Sequence, residues 1–489
     1  MQQVSKQAST YRPDRHPADS YEDILDRDTR TAPTHLRQGP TLDLGDEGVP
    51  VSNYFDPAHF AKEVRHVWLK VWQWACREED IPEAGDIFVY ENVGKSIIVA
   101  RQADGGIKAF YNSCLHRGRR LVDANGRQSE FKCKYHGMSW TCAGRFKQNP
   151  IAWDFPQLKK DAMNLPELKV DTWGGFVFVN FDLGCGPLPD TIGPLAEHFA
   201  RYDFANRYKA AHVSKVVPCN WKVMAEAFME SHHTLATHPQ IMAFLGDVNS
   251  QYDALSDTVS RQFTATGVLS PALAGRGLGE MDILKALADY SSGAPAPSGN
   301  KNDAGGSTPE TAARGAPTAP VSLADGQTAR AYLADVTRQA LSAEDGWDYS
   351  PHSDAEMVDA LLYNVFPHQT FWAGYAPNLV YRWRPNGLDP ESSVMDVIIL
   401  KRVPKSGPRP KPAAEQRLTL DQSWSEATVL GPLIPIFEQD MGNMPWVQHG
   451  LHSSGTGVVN FGLYTEMRIR HLHHKIARMI AEGEAQSGN

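Results

Sequence analysis

The sequence predicts a chain of mixed class, a small all-β domain over residues 80–180 followed by a larger segment in which helices and strands both recur. Three observations carry this expectation. From Asp86 the apolar period is two: Ile87-Phe88-Val89-Tyr90 and Ser96-Ile97-Ile98-Val99 flank Glu91-Asn92-Val93-Gly94, the pattern of a β-hairpin. From Asn220 the spacing turns helical, with Trp221, Met224, Phe228 and Leu235 on one stripe ending near Pro239. Strand patterns return at 379–383 and 394–400, joined by the turn Asn386-Gly387-Leu388-Asp389.

The flanking segments follow from composition. Residues 1–50 are rich in Asp, Arg, Thr and Pro, and read as an arm ordered against a neighbouring subunit. Asp56-Pro57 is an N-cap followed by proline at the first helical position, opening a helix over 57–75 through Phe60, Val64, Val67, Trp68 and Val71. Residues 292–321 hold no large apolar side chain before Val321, so they predict a disordered insertion or lid. Met467–Ala481 has helical spacing. His471, His473 and His474 are expected on its solvated face.

Bulk properties narrow the class. A chain of 489 residues has room for two or three domains, and 42% apolar with 21% charged residues is ordinary for a globular protein. The net charge of -9 argues against nucleic acid as a partner. No apolar run approaches the roughly 20 residues of a membrane helix, and no secretory h-region is present. Cys76, Cys142, Cys185 and Cys219 are scattered and expected reduced. A cytoplasmic enzyme with no membrane contact is the expectation.

Cys114-x-His116 and Cys133-x-x-His136 are separated by sixteen residues and lie in the β-rich region. A tetrahedral zinc site accepts two thiolates and two imidazoles, but zinc fingers pair Cys with Cys and His with His. One Cys and one His from each loop instead suit a cluster whose two irons differ, one held by thiolates and the other by imidazoles. Here the sequence resembles the Rieske ring-hydroxylating oxygenases. Cys114-Leu115-His116-Arg117-Gly118 and Cys133-Lys134-Tyr135-His136-Gly137 are similar to the two halves of that family's cluster motif. Met138 stands where the family commonly has Trp, with Trp140 nearby to share its packing.

The second constellation lies downstream. Glu230 and His233, three apart, share a helical face, whereas His233 and His238 would sit about 140° apart on a regular helix. Pro239 disfavours helical geometry at His238 and lets it swing back. Two histidines and a carboxylate with open positions suit non-haem Fe(II). The stretch resembles the mononuclear iron motif of the same family, which implies His233 and His238 as ligands and Glu230 as the acid connecting cluster to iron. Ala227 replaces a common Asn and His232 a common Tyr. Glu438-Gln439-Asp440, with Gln448 and Gly450 beyond, is similar to the family's C-terminal ligand segment, implying Asp440, or alternatively Glu438, as third ligand.

The resemblance covers about Asp56 to Ala481 apart from the insertion. It implies an α+β architecture: a β-sandwich Rieske [2Fe–2S] domain over 51–180, its leading helix packed on the catalytic domain. A catalytic domain over 181–489 follows, an antiparallel sheet wrapped around helices in the helix-grip manner. It implies one Rieske cluster, one mononuclear Fe(II), an external ferredoxin or flavin reductase, and a homotrimer or a hetero-oligomer with a small β subunit. The implied reaction is mono- or dioxygenation of an apolar, aromatic or polycyclic substrate. Leu361, Leu362, Val365, Phe366, Phe371, Trp372 and Tyr375 are candidate pocket residues. A Rieske electron carrier with a C-terminal ligand-binding or interaction module is the alternative; it leaves His233, His238 and Asp440 without a purpose.

Overall fold

A computed structural model describes residues 15–292 and 322–487. The predicted hairpin is present: Asp86–Asn92 pairs with Lys95–Arg101, and Val93 and Gly94 turn the chain at φ 42° and 71°. Its strands extend past the apolar run, because edge residues such as Glu91 and Lys95 still complete the ladder. Seven strands form one sheet, ordered Gln73–Arg77, Phe176–Asn180, Glu167–Trp173, Ile107–Tyr111, Lys95–Arg101, Asp86–Asn92 and Gly126–Arg127. A three-stranded sheet, Glu130–Lys132, Ser139–Thr141 and Phe146–Gln148, completes this domain. Between the sheets lie Ile87, Ile98, Phe110, Phe131 and Trp140, with Met138 filling the space beside Trp140.

The second domain is built on eight strands: Gln251–Ala254, Val259–Thr264, Ala360–Val365, Gln369–Trp372, Leu379–Asn386, Asp389–Arg402, Arg207–Val217 and Gln416–Leu418, in that spatial order. All neighbours are antiparallel except the last pair. Its inner face packs on the helices Trp221–Glu226, Ile434–His452 and Met467–Ser487 through Trp221, Met224, Tyr381, Trp383, Phe437 and Ile469. Phe60, Val67 and Trp68 join this same core, so the segment that opens at Pro57 packs on the second domain although it precedes the first. That segment is α-helical over Pro57–Glu63, continues as a wider π turn over Val64–Trp68, and stops short of 75 because Gln73–Arg77 pairs as a strand. Asp56 caps it, accepting a hydrogen bond from the Ala58 amide at 2.8 Å.

Three expectations are corrected. The arm is docked on its own chain: Tyr21, Ile24, Leu25 and Leu36 are buried in the outer core of the second domain. The Tyr21 hydroxyl donates to Asp359, and Arg330 pairs with both Asp28 and Asp359. Four apolar anchors too sparse to show a period suffice, with the Tyr21 hydroxyl and the Asp28 carboxylate adding buried polar contacts. The helix from Trp221 is not continuous to Pro239; it ends at Glu226 and a separate turn forms at Thr234–Thr237. The candidate pocket stretch divides between faces. Leu361, Val365, Phe371 and Tyr375 point to the outer core, whereas Phe366 and Trp372 pack on the inner one, as alternation along a strand requires. The predicted insertion lies outside the described residues except for Ser292, as do the first fourteen residues of the arm.

Two buried charge clusters fix the domains. Asp396 on the long strand Asp389–Arg402 is fully buried and receives Arg382 at 3.0 Å, Arg384 at 3.4 Å and His212 at 3.1 Å. Arg382 also donates to the Trp74 carbonyl of the first domain at 2.7 Å, which ties the sheets together. Burial opposes ionisation of Asp396, yet the two guanidiniums hold its carboxyl well below the usual range. Lys222, on the helix from Trp221, is buried against Glu63 of the leading helix, with the Trp221 indole donating to the same carboxylate. Removing one member of such a pair strands the other. Lys222→Met is expected to cost about 3–5 kcal/mol in urea unfolding, and Lys222→Met with Glu63→Leu to recover most of it. Equal losses in the single and double variants would contradict the pairing.

Candidate cluster and metal sites

The two Cys/His motifs form matching loops. Cys114 follows the strand Ile107–Tyr111, and Cys133 opens the tip between Glu130–Lys132 and Ser139–Thr141. In each loop the cysteine amide donates to the carbonyl five residues on, at 2.8 Å, and the glycine four residues on donates back to the cysteine carbonyl. Gly118 and Gly137 close these loops at φ 76° and 79°, a conformation that other residues adopt at a cost. Both cysteines are buried, His116 is half-buried and His136 is exposed, so thiolates lie inward and imidazoles outward. The His116 and His136 rings are 4.6 Å apart. His116 Nδ1 is buried with no hydrogen-bond partner, an orphan that bonding to an iron would satisfy. Burial pushes the Cys114 thiol up; at Cys133 burial is outweighed by the Tyr135 and His136 amides, which bring it down. Two inward sulfurs and two outward imidazoles are the donor set of a cluster with unlike irons.

The second site assembles where the helix from Trp221 breaks. The Ser231 hydroxyl contacts the Asp247 carbonyl, Ser250 and Tyr252, and the Tyr252 hydroxyl meets the Ser231 amide, so tertiary contacts replace the helical ladder there. Glu230 curls over the next turn: Oε2 accepts from the His233 amide at 3.0 Å and Oε1 lies 2.5 Å from His233 Nδ1. His238 leaves helical geometry at φ -126°, as Pro239 predicts. His233, His238 and Asp440 then converge, their ligand atoms all within 4.8 Å of one another. His238 Nε2 is 2.9 Å and His233 Nε2 3.8 Å from Asp440 Oδ1. This set fits a mononuclear iron with positions left open. Glu438 is occupied elsewhere, accepting from Ser423 and from the Ser425 amide, so the structure favours Asp440 over it.

Outer contacts orient both imidazoles. His238 Nδ1 meets Gln439 Oε1 at 2.8 Å, and Gln439 exchanges amide bonds with Gln240. His233 Nδ1 meets Glu230, whose second oxygen lies 2.9 Å from His232 Nδ1. Burial opposes ionisation of Glu230, but the two histidines hold it at about 2, and Glu230 in turn raises His233 and His232. Sequence reasoning missed Gln439; its adjacency to Asp440 was the available signal. His471 and His473, expected on a solvated face, are buried. His473 Nε2 contacts Glu226 and the Tyr54 hydroxyl, and His471 meets the Ser256 carbonyl, because that face of the helix lies on the sheet. A further group among the described residues, His212, Asp396 and Glu415, has metal-compatible spacing. Its Asp396 is paired with two guanidiniums and its Glu415 with Arg417, so both carboxylates already have cationic partners.

Comparison with known proteins accounts for both sites together. The model of the ring hydroxylating alpha subunit catalytic domain matches residues 200–482, more than half of the chain. The chain belongs to this family. The Rieske [2Fe-2S] domain matches residues 71–159, so a cluster domain precedes a mononuclear iron domain, both of them oxidoreductase modules. The chain is 30% identical over 260 residues to the glycine betaine monooxygenase oxygenase subunit of Chromohalobacter salexigens, covering 50% of this chain and 58% of that protein. It is 30% identical over 207 residues to the biphenyl 2,3-dioxygenase subunit alpha of Rhodococcus jostii, covering 41% and 45%. It thus spans about half the length of the curated relatives it matches. In fold it is similar to the quaternary ammonium Rieske monooxygenase CntA bound to L-carnitine, with TM-score 0.59 and 16% identity over 88% of this chain and 95% of that one. It is also similar to naphthalene 1,2-dioxygenase from Rhodococcus sp. bound to indole, with TM-score 0.56 and 18% identity over 89% and 95%. Among the described residues no helix is long and apolar enough to cross a membrane.

The two sites separate cleanly in a metal analysis. Purified protein is expected to hold about three irons per chain. Asp440→Ala or His233→Ala should lower this to about two while leaving the visible spectrum of the cluster unchanged. Loss of the cluster spectrum in either variant, or retention of all three irons, would show that these residues do not form a separate site.

Proposed function

We propose that this chain is the terminal oxygenase component of a Rieske system. Cys114, His116, Cys133 and His136 hold the [2Fe–2S] cluster, and His233, His238 and Asp440 hold the mononuclear iron. The observation that carries the reading is the convergence of those last three side chains, within 4.8 Å, in the domain that follows the cluster domain. When bound, the iron supplies reductive activation of O₂ with electrons drawn from the cluster. The chain's own residues then do the positioning. Glu230 holds the proton of His233 at Nδ1 and Gln439 that of His238, which turns both Nε2 atoms toward Asp440. With His136 exposed and Glu230 next to His233, these two residues are the natural ends of an electron path.

The wall beside Asp440 is aromatic. Phe228 lies 5.2 Å from Tyr381, 5.6 Å from Trp383 and 6.2 Å from Phe437 between ring centroids. Burial and the nearby Asp440 push the Tyr381 phenol well up, so it stays neutral beside the site. Such a wall excludes water and favours a substrate that presents an apolar or aromatic group. The named relatives, a glycine betaine and a biphenyl oxygenase, both suit a methyl or ring carbon set against aromatic rings. An external ferredoxin or flavin reductase supplies electrons, and the working assembly is a homotrimer or includes a small β subunit.

The test is turnover under ¹⁸O₂ with a surrogate reductase across aromatic and methylammonium compounds. Labelled product is expected, and Glu230→Gln should lower its rate about 10–100-fold with iron content intact. A cluster that cycles with reductant and yields no labelled product from the panel favours the electron-carrier alternative.

A further inference from the structure

Among the described residues four arginines are fully buried: Arg77, Arg207, Arg261 and Arg468. Three of them donate from every guanidinium nitrogen. Arg77 bonds Glu79 and the Gly174 and Arg207 carbonyls. Arg207 bonds the Tyr202 and Gly374 carbonyls and Asn378. Arg261 bonds Asp253 and the His35 and Arg37 carbonyls. Arg468 differs. Only its Nη1 is used, toward Gln262 Oε1 at 2.8 Å and the Phe228 carbonyl at 3.5 Å, while Nε and Nη2 are buried with no partner in the chain.

The two idle nitrogens are the informative pair. Nε–H and Nη2–H point the same way from the guanidinium plane and form the edge that receives a carboxylate through two parallel hydrogen bonds. No acidic side chain is bonded to it, and desolvation brings the group down to about 9, with only the Tyr252 phenol opposing. A buried cation without a counter-ion is costly, and folded chains keep such a group only where something offsets the cost.

Its place in the fold points toward the iron site. Phe228, whose carbonyl Arg468 meets, is part of the aromatic wall and lies two residues before Glu230. Gln262 belongs to a cross-strand row on the inner face of the catalytic sheet, Tyr252, Gln262, Leu362 and Trp372. Trp372 Nε1 is also buried without a partner, two strands from Gln262, about 10 Å at ordinary strand spacing. The next row on that face runs from Ser260, whose hydroxyl lacks a partner too, through Asn364 and Thr370 to Tyr381 beside Asp440. The unused donors of Ser260 and Trp372 thus lie on the inner face of the sheet that Tyr381 shares beside Asp440.

We propose that Arg468 is the anchor for a carboxylate on the substrate, so that the molecule oxidised is an organic acid with an apolar body. The acid group binds side-on to Nε and Nη2, and the apolar body runs along the aromatic wall. This rests on the oxygenase reading above and narrows it to a substrate class.

The test uses protein carrying both cluster and iron, and measures by calorimetry the binding of matched pairs. The pairs are benzoate and benzamide, phenylacetate and phenylacetamide, cyclohexanecarboxylate and its amide, and glycine betaine and choline. At least one acid is expected to bind about tenfold or more tightly than its uncharged or alcohol counterpart. Arg468→Gln should cut that preference to below about threefold. It should also melt no lower than the wild type, because it removes an uncompensated buried charge. If the glutamine variant does not accumulate, Arg468→Lys, which keeps the charge and loses the parallel pair, carries the same comparison. No acid preference in any pair, or the same preference after substitution, would overturn the anchor. A lower melting temperature with unchanged preference would make Arg468 a structural strut and overturn it equally. Acid binding without ¹⁸O-labelled product counts against the oxygenase reading alone, whereas labelled product from neutral compounds with no acid preference counts against the anchor alone.

Discussion

Asp440 must meet two histidines that lie about two hundred residues earlier in the chain, and the rest of the catalytic domain is arranged around that requirement. Four amide side chains secure it. Gln439 reaches His238 and Gln240, and Gln448, two turns further along the same helix, accepts the Asn220 amide at 2.9 Å. Asn220 in turn caps the helix from Trp221 and donates to the Tyr54 and Pro390 carbonyls. The histidine-bearing segment and the aspartate-bearing helix are therefore fixed to each other at two points on either side of the site. Neutral amides suit this task, since they bond in both directions and bury no net charge.

The same logic of fully used polar groups sets the two domains. Asp396 sits on the catalytic sheet and gathers Arg382, Arg384 and His212, while Arg382 reaches back to the Trp74 carbonyl. The segment Pro57–Trp68 crosses from one domain to the core of the other and brings Glu63 to Lys222. Each contact would be expensive to open, because opening it strands a charge. The cluster loops are thus carried on a body rigidly seated on the catalytic domain.

What the sequence revealed was local, and what it hid was tertiary. The cluster motifs and the Asp86–Arg101 hairpin depend on a few neighbouring residues with strong conformational demands, such as Gly118, Gly137 and Gly94. The break after Glu226 carries no such mark: Ala227 to His232 contain neither proline nor glycine, and the helix yields to Ser231, Tyr252 and Asp247 across the fold. Pro239 accounts for the bend at His238, but the larger departure from the helix comes earlier. The strands around 361–375 were legible as apolar, and their alternation already held the division between faces. His471 and His473 were misplaced because charge along the last helix implied solvent, whereas Arg468 and Arg470 on it are buried as well.

The two imidazoles facing Asp440 are not equivalent. His238 donates its Nδ1 proton to an amide oxygen, whose polarity is fixed at every pH. His233 donates to a carboxylate, which draws that proton toward itself and makes the ring a more basic, more electron-rich donor. One ring is therefore held by a fixed dipole and the other by an ionisable group, Glu230, which is itself buried beside the site. Of the two rings, a change of charge at that single carboxylate acts on His233 alone, which gives the pair a built-in polarity from His233 toward His238.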